Sequence, residues 1–205
     1  DTENMTSDQQ RIHPTRMVAE CRKAMPRDTI AVVDSGAHRA FAAHYWDSYG
    51  PREFITASNL GPMGWGIGAG IGAKAARPDR PVVVFSGDGC FRMHGMEVQT
   101  SARFGLPVIY CVSNNCALGN VWLRAKDKGP VAAKLNEAPD QDFAGFARAF
   151  GAEGITVTDP NELAPAFAKA LELNKTVVID VKTDRTAKTP VSPYHEGAEA
   201  WSYRE

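Results

Sequence analysis

Two stretches decide the fold: Pro81-Val82-Val83-Val84-Phe85-Ser86-Gly87-Asp88-Gly89-Cys90 and Val108-Ile109-Tyr110-Cys111-Val112-Ser113-Asn114-Asn115. Each is a run of β-branched and aromatic residues without polar alternation, as expected of a strand covered on both faces. Each ends abruptly in small and polar residues. A helix expected over His94–Phe104 separates the two runs, so they read as consecutive parallel strands of one sheet. Ligands of such sheets bind beyond the carboxyl ends of the strands, which is where the glycine, Asp and Asn residues fall.

The rest of the chain fits the same pattern. His13-Pro14 opens a helix, with Met17, Val18, Cys21, Ala24 and Met25 at helical spacing. Thr29–Val33 is a short strand ending in Asp34-Ser35-Gly36. A helix over Ala37–Trp46 and an extended piece at Phe54-Ile55-Thr56 follow. Asp142 caps a helix whose Phe143, Phe146, Ala147 and Phe150 share a face, closed by Gly151. Asp159 to Glu162 resembles a capping box for a helix through Leu171, and Thr176–Val181 is the last strand. Residues 120–140 lack a period and read as a loop or lid. The expectation is one α/β domain over residues 1–205, with a doubly wound, mostly parallel sheet and helices on both faces. Its core spans about 11–184, and a tail over 185–205 wraps the surface or a neighbour.

Bulk properties narrow the function. The 205 residues are 43% hydrophobic and 23% charged, with a formal net charge of -1 and no basic stripe, which argues against nucleic acid. No apolar run approaches the roughly 20 residues of a membrane span. The polar opening Asp1-Thr2-Glu3-Asn4 is unlike a signal peptide and lacks an initiator Met. None of the four cysteines forms a C-x-x-C pair, so a zinc knuckle is not expected and a reducing cytoplasm is the default.

Gly87 and Gly89 allow close backbone approach to a ligand, and the helix after them offers free N–H groups to an anion. Asp88 beside a phosphate is repulsive unless a divalent cation lies between them. Mg²⁺ is held in that way, by one or two protein oxygens plus phosphates. An Asn oxygen at the end of the neighbouring strand can share the ion.

Gly-Asp-Gly alone reads as a turn, and Asn-Asn alone is weaker still. Paired across 24 residues of helix and strand, they resemble the motif of thiamine-diphosphate enzymes: pyruvate oxidases, 2-oxo acid decarboxylases and acetolactate synthases. The resemblance runs from about His13 to Asp184. Asn59-Leu60-Gly61-Pro62-Met63-Gly64 is similar to the Leu-Gly-x-Met-Gly segment of acetolactate synthases, and Asp34-Ser35-Gly36-Ala37-His38 to the segment that meets the diphosphate. The resemblance implies thiamine diphosphate and Mg²⁺ as cofactors. Asp88, Asn115 and the Ala117 carbonyl would ligate the metal. Ser35, Gly36, Ala37, His38, Gly87, Gly89, Cys90, Leu118 and Gly119 would line the cofactor. Met63 would be the wedge that bends it, bringing its 4'-imino nitrogen to C2, with the Gly61 carbonyl holding the 4'-amino group.

Alternatives remain beside these roles. His38 is either a diphosphate contact or a satisfied histidine, while His44, His94 and His195 have only the structural reading. Glu97 sits on a helix leading away from the strand end. Cys90 and Cys116 would act through their backbone. Gly64, Gly66, Gly68, Gly70 and Gly72 miss the dinucleotide G-x-G-x-x-G spacing and read instead as a tightly packing helix face. Asn120, Val121 and Trp122 are candidates to face substrate, with Trp122 equally a core residue.

The family unit also needs a pyrimidine-binding domain that supplies an activating Glu, and this chain has no second module to hold one. The resemblance therefore implies one half of a 2-oxo acid decarboxylase or carboligase, inactive alone. At least two copies of each half would assemble as a hetero-oligomer. Alternatives are a split sulfopyruvate or phosphonopyruvate decarboxylase subunit, an oxidative relative, or a non-catalytic cofactor-binding module.

Overall fold

The structure is a computed structural model that describes residues 2–190. In chain order its elements are α1 (Thr2–Met5), α2 (Pro14–Ala24), β1 (Ile30–Val33), α3 (Ala37–Tyr45), β2 (Phe54–Thr56), α4 (Trp65–Ala76), β3 (Val82–Gly87), α5 (Asp88–His94), α6 (Val98–Arg103), β4 (Ile109–Asn114), α7 (Gly119–Ala125), α8 (Pro130–Lys134), α9 (Phe143–Ala149), β5 (Glu153–Val157), α10 (Leu163–Leu173) and β6 (Val177–Lys182). The six strands form one parallel sheet in the order β2-β1-β3-β4-β6-β5. The two deciding runs are central neighbours, with Phe85 opposite Cys111 and Gly87 opposite Ser113.

Period-two alternation along these strands divides the core into two layers. Ala31, Val33, Val83, Phe85, Cys111 and Ile179 point to one face, where α2, α3 and α10 cover them with Met17, Phe41 and Phe167. Val32, Val84, Tyr110, Val112 and Val178 point to the other face, under Ile67 of α4, Phe91 of α5 and Phe143 of α9. Full cover on both sides explains why the sequence shows no alternation. β1 leads outward to β2, and the chain then returns to place β3 on the other side of β1. The order therefore reverses between β1 and β3, and a crevice opens beyond their carboxyl ends.

Several local expectations need correction. The helix expected at His94–Phe104 begins at Asp88 and is broken by a 3₁₀ turn at Gly95–Glu97. A Cβ on Gly95 would lie 2.7 Å from the Phe91 ring, so the chain tightens where Phe91 enters the core. The 120–140 segment is not irregular, since it folds into α7 and α8. Strand β5 carries no expectation at all. It is a five-residue edge strand with only Val157 fully buried, and its second residue, Gly154, packs onto the Ala144 backbone. Three members of the glycine series pack tightly, Gly64 against His94, Gly66 against Asp34 and Gly70 against Val84, while Gly68 and Gly72 face open space. The 3.6-residue period puts alternate glycines on opposite sides of the helix. The expected tail is described only as far as residue 190. Its remainder, with His195, lies outside the described residues.

Candidate functional site

The crevice holds a cavity of about 210 Å³, and all the residues expected to bind cofactor line it except Gly61. Gly61 sits on the rim with a left-handed φ of 61°, beside Ser35 and Arg39. Arg39, Ser113, Asn120 and Val121 complete the lining. Asn120 and Val121 were substrate candidates. Arg39 carried a signal in its place directly after the Ser35–His38 segment, whereas Ser113 carried none. Trp122 lies outside the lining. It is half-buried, and its indole N–H donates to Glu137 Oε1 at 3.4 Å.

Asp34 fastens the site together and had no role assigned from sequence. Wholly buried at the end of β1, its Oδ1 accepts from the N–H groups of Ser35 (2.8 Å) and Gly64 (3.0 Å). The Ser86 hydroxyl donates to Oδ2 at 3.4 Å. One carboxylate thus ties the β1 loop, the entry to α4 and the end of β3. Burial raises its pKa, and these hydrogen bonds partly oppose the rise. Gly64 enters α4 in the left-handed region (φ 86°), and a Cβ there would collide with the His94 ring. Met63 just before it is thereby directed into the cavity.

His38, in the first turn of α3, is 5% exposed, and its Nε2 has no hydrogen-bond partner. Cβ atoms on Gly36 and Gly87 would come within 2.7 and 2.9 Å of the ring, so two glycine backbones clamp it. Burial lowers its pKa to about 4, with nearby Arg39 adding to the effect and a hydrogen bond involving the Asp34 backbone opposing it. The ring is therefore neutral at pH 7. Because the folded-state value lies below the unfolded one, its contribution to stability is present above pH 6.5. It is lost as pH falls toward about 4. That window corresponds to at most about 3 kcal/mol. We expect the wild-type melting temperature to drop between pH 6.5 and 4 and His38→Gln to flatten the profile. Parallel thermal melts across that range check it, and identical slopes would refute it.

On the far wall, Asp88 begins α5 and is 2% exposed. Its Oδ2 accepts from Ala117 N at 3.2 Å, and Asn115 Oδ1 accepts from the same N–H at 3.0 Å. The left-handed Cys116 (φ 58°) makes the bend that returns Ala117 toward Asp88. A Cβ on Gly119 would lie 2.8 Å from Asn115 Nδ2, which keeps α7 close. Asn114 is structural: its amide donates to Asp180 Oδ1 at 2.9 Å and to the Gln141 carbonyl at 3.0 Å. Glu97 accepts from Thr100 on the surface. Cys90 gives its thiol to the Ser35 carbonyl, and burial pushes its pKa up to about 12, so it is no nucleophile.

A carboxylate, an amide oxygen and a backbone carbonyl make a hard, all-oxygen donor set. It is too small to hold a metal unaided, and among the described residues no group of three or more His, Cys, Asp or Glu could do so. That composition suits a cation shared with phosphates. An open cradle lies beside it, where a Cβ on Gly89 would meet Leu118 at 2.8 Å and Met63 at 3.0 Å.

Residues 34–181 match the model of the thiamine pyrophosphate enzyme C-terminal TPP binding domain. The chain belongs to this family. The match begins at Asp34, the residue that fastens the site, and ends with β6. Among relatives, the chain is 30% identical to a probable acetolactate synthase large subunit of Methanococcus aeolicus, covering 89% of this chain and 31% of that one. It is 34% identical to a sulfoacetaldehyde acetyltransferase of Castellaniella defragrans, over 87% of this chain and 31% of the relative. The fold matches a thiamine diphosphate-dependent 4-hydroxybenzoylformate decarboxylase of Rhodococcus jostii RHA1 with a TM-score of 0.80 and 25% identity. That match covers 87% of this chain and 34% of the solved one. The chain spans roughly a third of the length of these relatives.

Proposed function

We propose that this chain is the thiamine-diphosphate- and Mg²⁺-binding half of a 2-oxo acid decarboxylase or carboligase. The observation that carries it is the meeting of Asp88, Asn115 and Ala117 with Gly36–His38 around one cavity at the sheet's switch point. Asp88, Asn115 Oδ1 and the Ala117 carbonyl would hold the metal between protein and diphosphate. The buried Nε2 of His38 has no protein partner, and it would donate to a diphosphate oxygen once the diphosphate's charge draws a second proton onto the ring, while the Gly36 and Gly89 backbones leave room for it. Bound there, the cofactor would supply a thiazolium that takes up the electrons released when a 2-oxo acid loses CO₂. Met63 would fix its bent shape, and Gly61, on the rim, would hold the 4'-amino group through its carbonyl.

Asp88 is the one carboxylate in the cavity lining, and it is committed to the metal wall. An activating Glu must then come from a pyrimidine-binding domain elsewhere, in this polypeptide or another. The relatives' threefold greater length fits such a partner. So do the exposed apolar side chains of this segment, Met93 on α5, Met96 in the 3₁₀ turn and Phe104 just after α6, all more than half exposed, and the uncovered Gly68 and Gly72 of α4. Assembly with at least two copies of each half follows. Four free cysteines fit a reducing cytoplasm. Among the described residues no helix is long and apolar enough to cross a membrane.

One observation favours a second reading within this chemistry, an anionic-tailed substrate such as a sulfonated or phosphonated 2-oxo acid. Arg39 has no carboxylate within ion-pair distance among the described residues. It lines both the site and an adjoining cavity of about 470 Å³ that also holds His44 and Asn120. Competition between pyruvate and sulfopyruvate in the assembled enzyme separates the two.

Met63→Ala tests the proposal. Cofactor affinity should fall only a few-fold, while proton–deuterium exchange at the cofactor's C2 should slow by about 100-fold, the cost of a misplacement of roughly 1 Å. NMR exchange on the assembled enzyme measures it. Exchange at the wild-type rate would show that Met63 sets no geometry.

A further inference from the structure

Asp88 already has a positively charged partner. Arg92, one helical turn on, donates from Nη2 to Asp88 Oδ2 at 2.8 Å, and its Nε donates to Gln141 Oε1 at 2.5 Å. The Asp88 side chain is 2% exposed and that of Arg92 27%, so the guanidinium has one edge on the carboxylate and the other in water. This arrangement takes up the same oxygen that meets Ala117 N–H.

We propose that Arg92 is a resident stand-in for the divalent cation: it neutralises and orients Asp88 in the metal-free chain and weakens metal binding when the cation arrives. The inference rests on Asp88 being a metal ligand. A carboxylate this buried is costly without a counter-charge, and the divalent cation would supply one only while bound. Arg92 supplies it continuously, because a guanidinium stays protonated at any working pH. The same permanence makes it a like charge beside the incoming ion, in surroundings where water screens poorly. Holding Oδ2 from the solvent side also fixes the carboxylate's rotation, so Arg92 is a positioning residue rather than a ligand. It exchanges some metal affinity for stability of the empty site.

A purely structural Arg92, pinning α5 to the Gln141 segment, would behave differently: its loss would weaken folding and metal binding together. Arg92→Gln and Arg92→Lys in the full chain separate the two roles. Mn²⁺ is titrated in the presence of thiamine diphosphate, free ion is read by electron paramagnetic resonance, and the metal-free proteins are melted in parallel. Arg92→Gln should melt several degrees lower without metal yet bind Mn²⁺ roughly tenfold more tightly, since one like charge is gone. Arg92→Lys should stay near wild type in both. Equal or weaker Mn²⁺ binding by Arg92→Gln would overturn the stand-in role and leave Arg92 a fastener. If neither wild type nor Arg92→Gln binds Mn²⁺ any better than Asp88→Asn does, the metal role of Asp88 itself fails.

Discussion

Asp88→Asn is expected to leave a folded chain whose Mg²⁺-dependent affinity for thiamine diphosphate is at least about 100-fold weaker. The substitution keeps the shape and still offers an oxygen to the Ala117 N–H, now at 3.2 Å from the carboxylate. It removes the only charge among the proposed metal ligands. Losing about 3 kcal/mol of cation binding gives two decades of affinity, and the diphosphate then faces the crevice with fewer positive charges. The fold should tolerate the change. Arg92 loses its partner but is 27% exposed and can turn to water, so the stability cost is about 1 kcal/mol or less. Tryptophan-fluorescence titration with and without Mg²⁺, in the presence of the partner half, measures the effect. An affinity equal to wild type would reduce Asp88 to a turn residue at the end of β3.

The second large effect concerns completeness. Assayed by itself with thiamine diphosphate, Mg²⁺ and a 2-oxo acid, residues 1–205 should show no turnover above background. Adding a pyrimidine-binding half should raise the rate by at least about 10²–10⁴-fold, the usual contribution of a positioned acid–base group. Asp88 is the only carboxylate lining the cavity, and one open wall cannot keep water from the reacting atoms. Partner and cofactor should also strengthen each other's binding, because each completes the other's site. Sizing runs with and without the partner would accompany the assay. Robust turnover by a chain free of partner would overturn the half-site reading and would require an acid–base group within this chain.

The parts of the fold legible in the sequence were those governed by local patterning with a large energetic stake. Val82–Phe85 and Val108–Val112 could only be doubly covered strands, because exposing such runs would leave too much apolar surface in water. The Asp142 cap was equally clear, and its carboxylate does accept from Gly145 N–H at 2.7 Å. Strand β5 was not legible. An edge strand with intermediate burial gains its identity from pairing with β6, and that pairing depends on residues more than twenty positions away. α7 and α8 were missed for a related reason. They are short, and the Ala117–Glu137 bridge together with the Trp122–Glu137 hydrogen bond closes the segment they lie in.

The candidate site divides in the same way. By itself the sequence determined which residues to gather. Glycine beside an acid at a strand end, and amides at the next strand end, carry a chemical meaning that survives without coordinates. The tertiary structure alone decided how they are held. Nothing in the order of residues says that Asp34 joins three segments, that Asn114 is spent on Asp180 while Asn115 faces the cavity, or that Arg92 already sits on Asp88. Which strands are neighbours follows from burying apolar runs, a property of composition along the chain. Which polar atom meets which partner depends on angles and distances of a few tenths of an ångström, and those exist only once the sheet has formed.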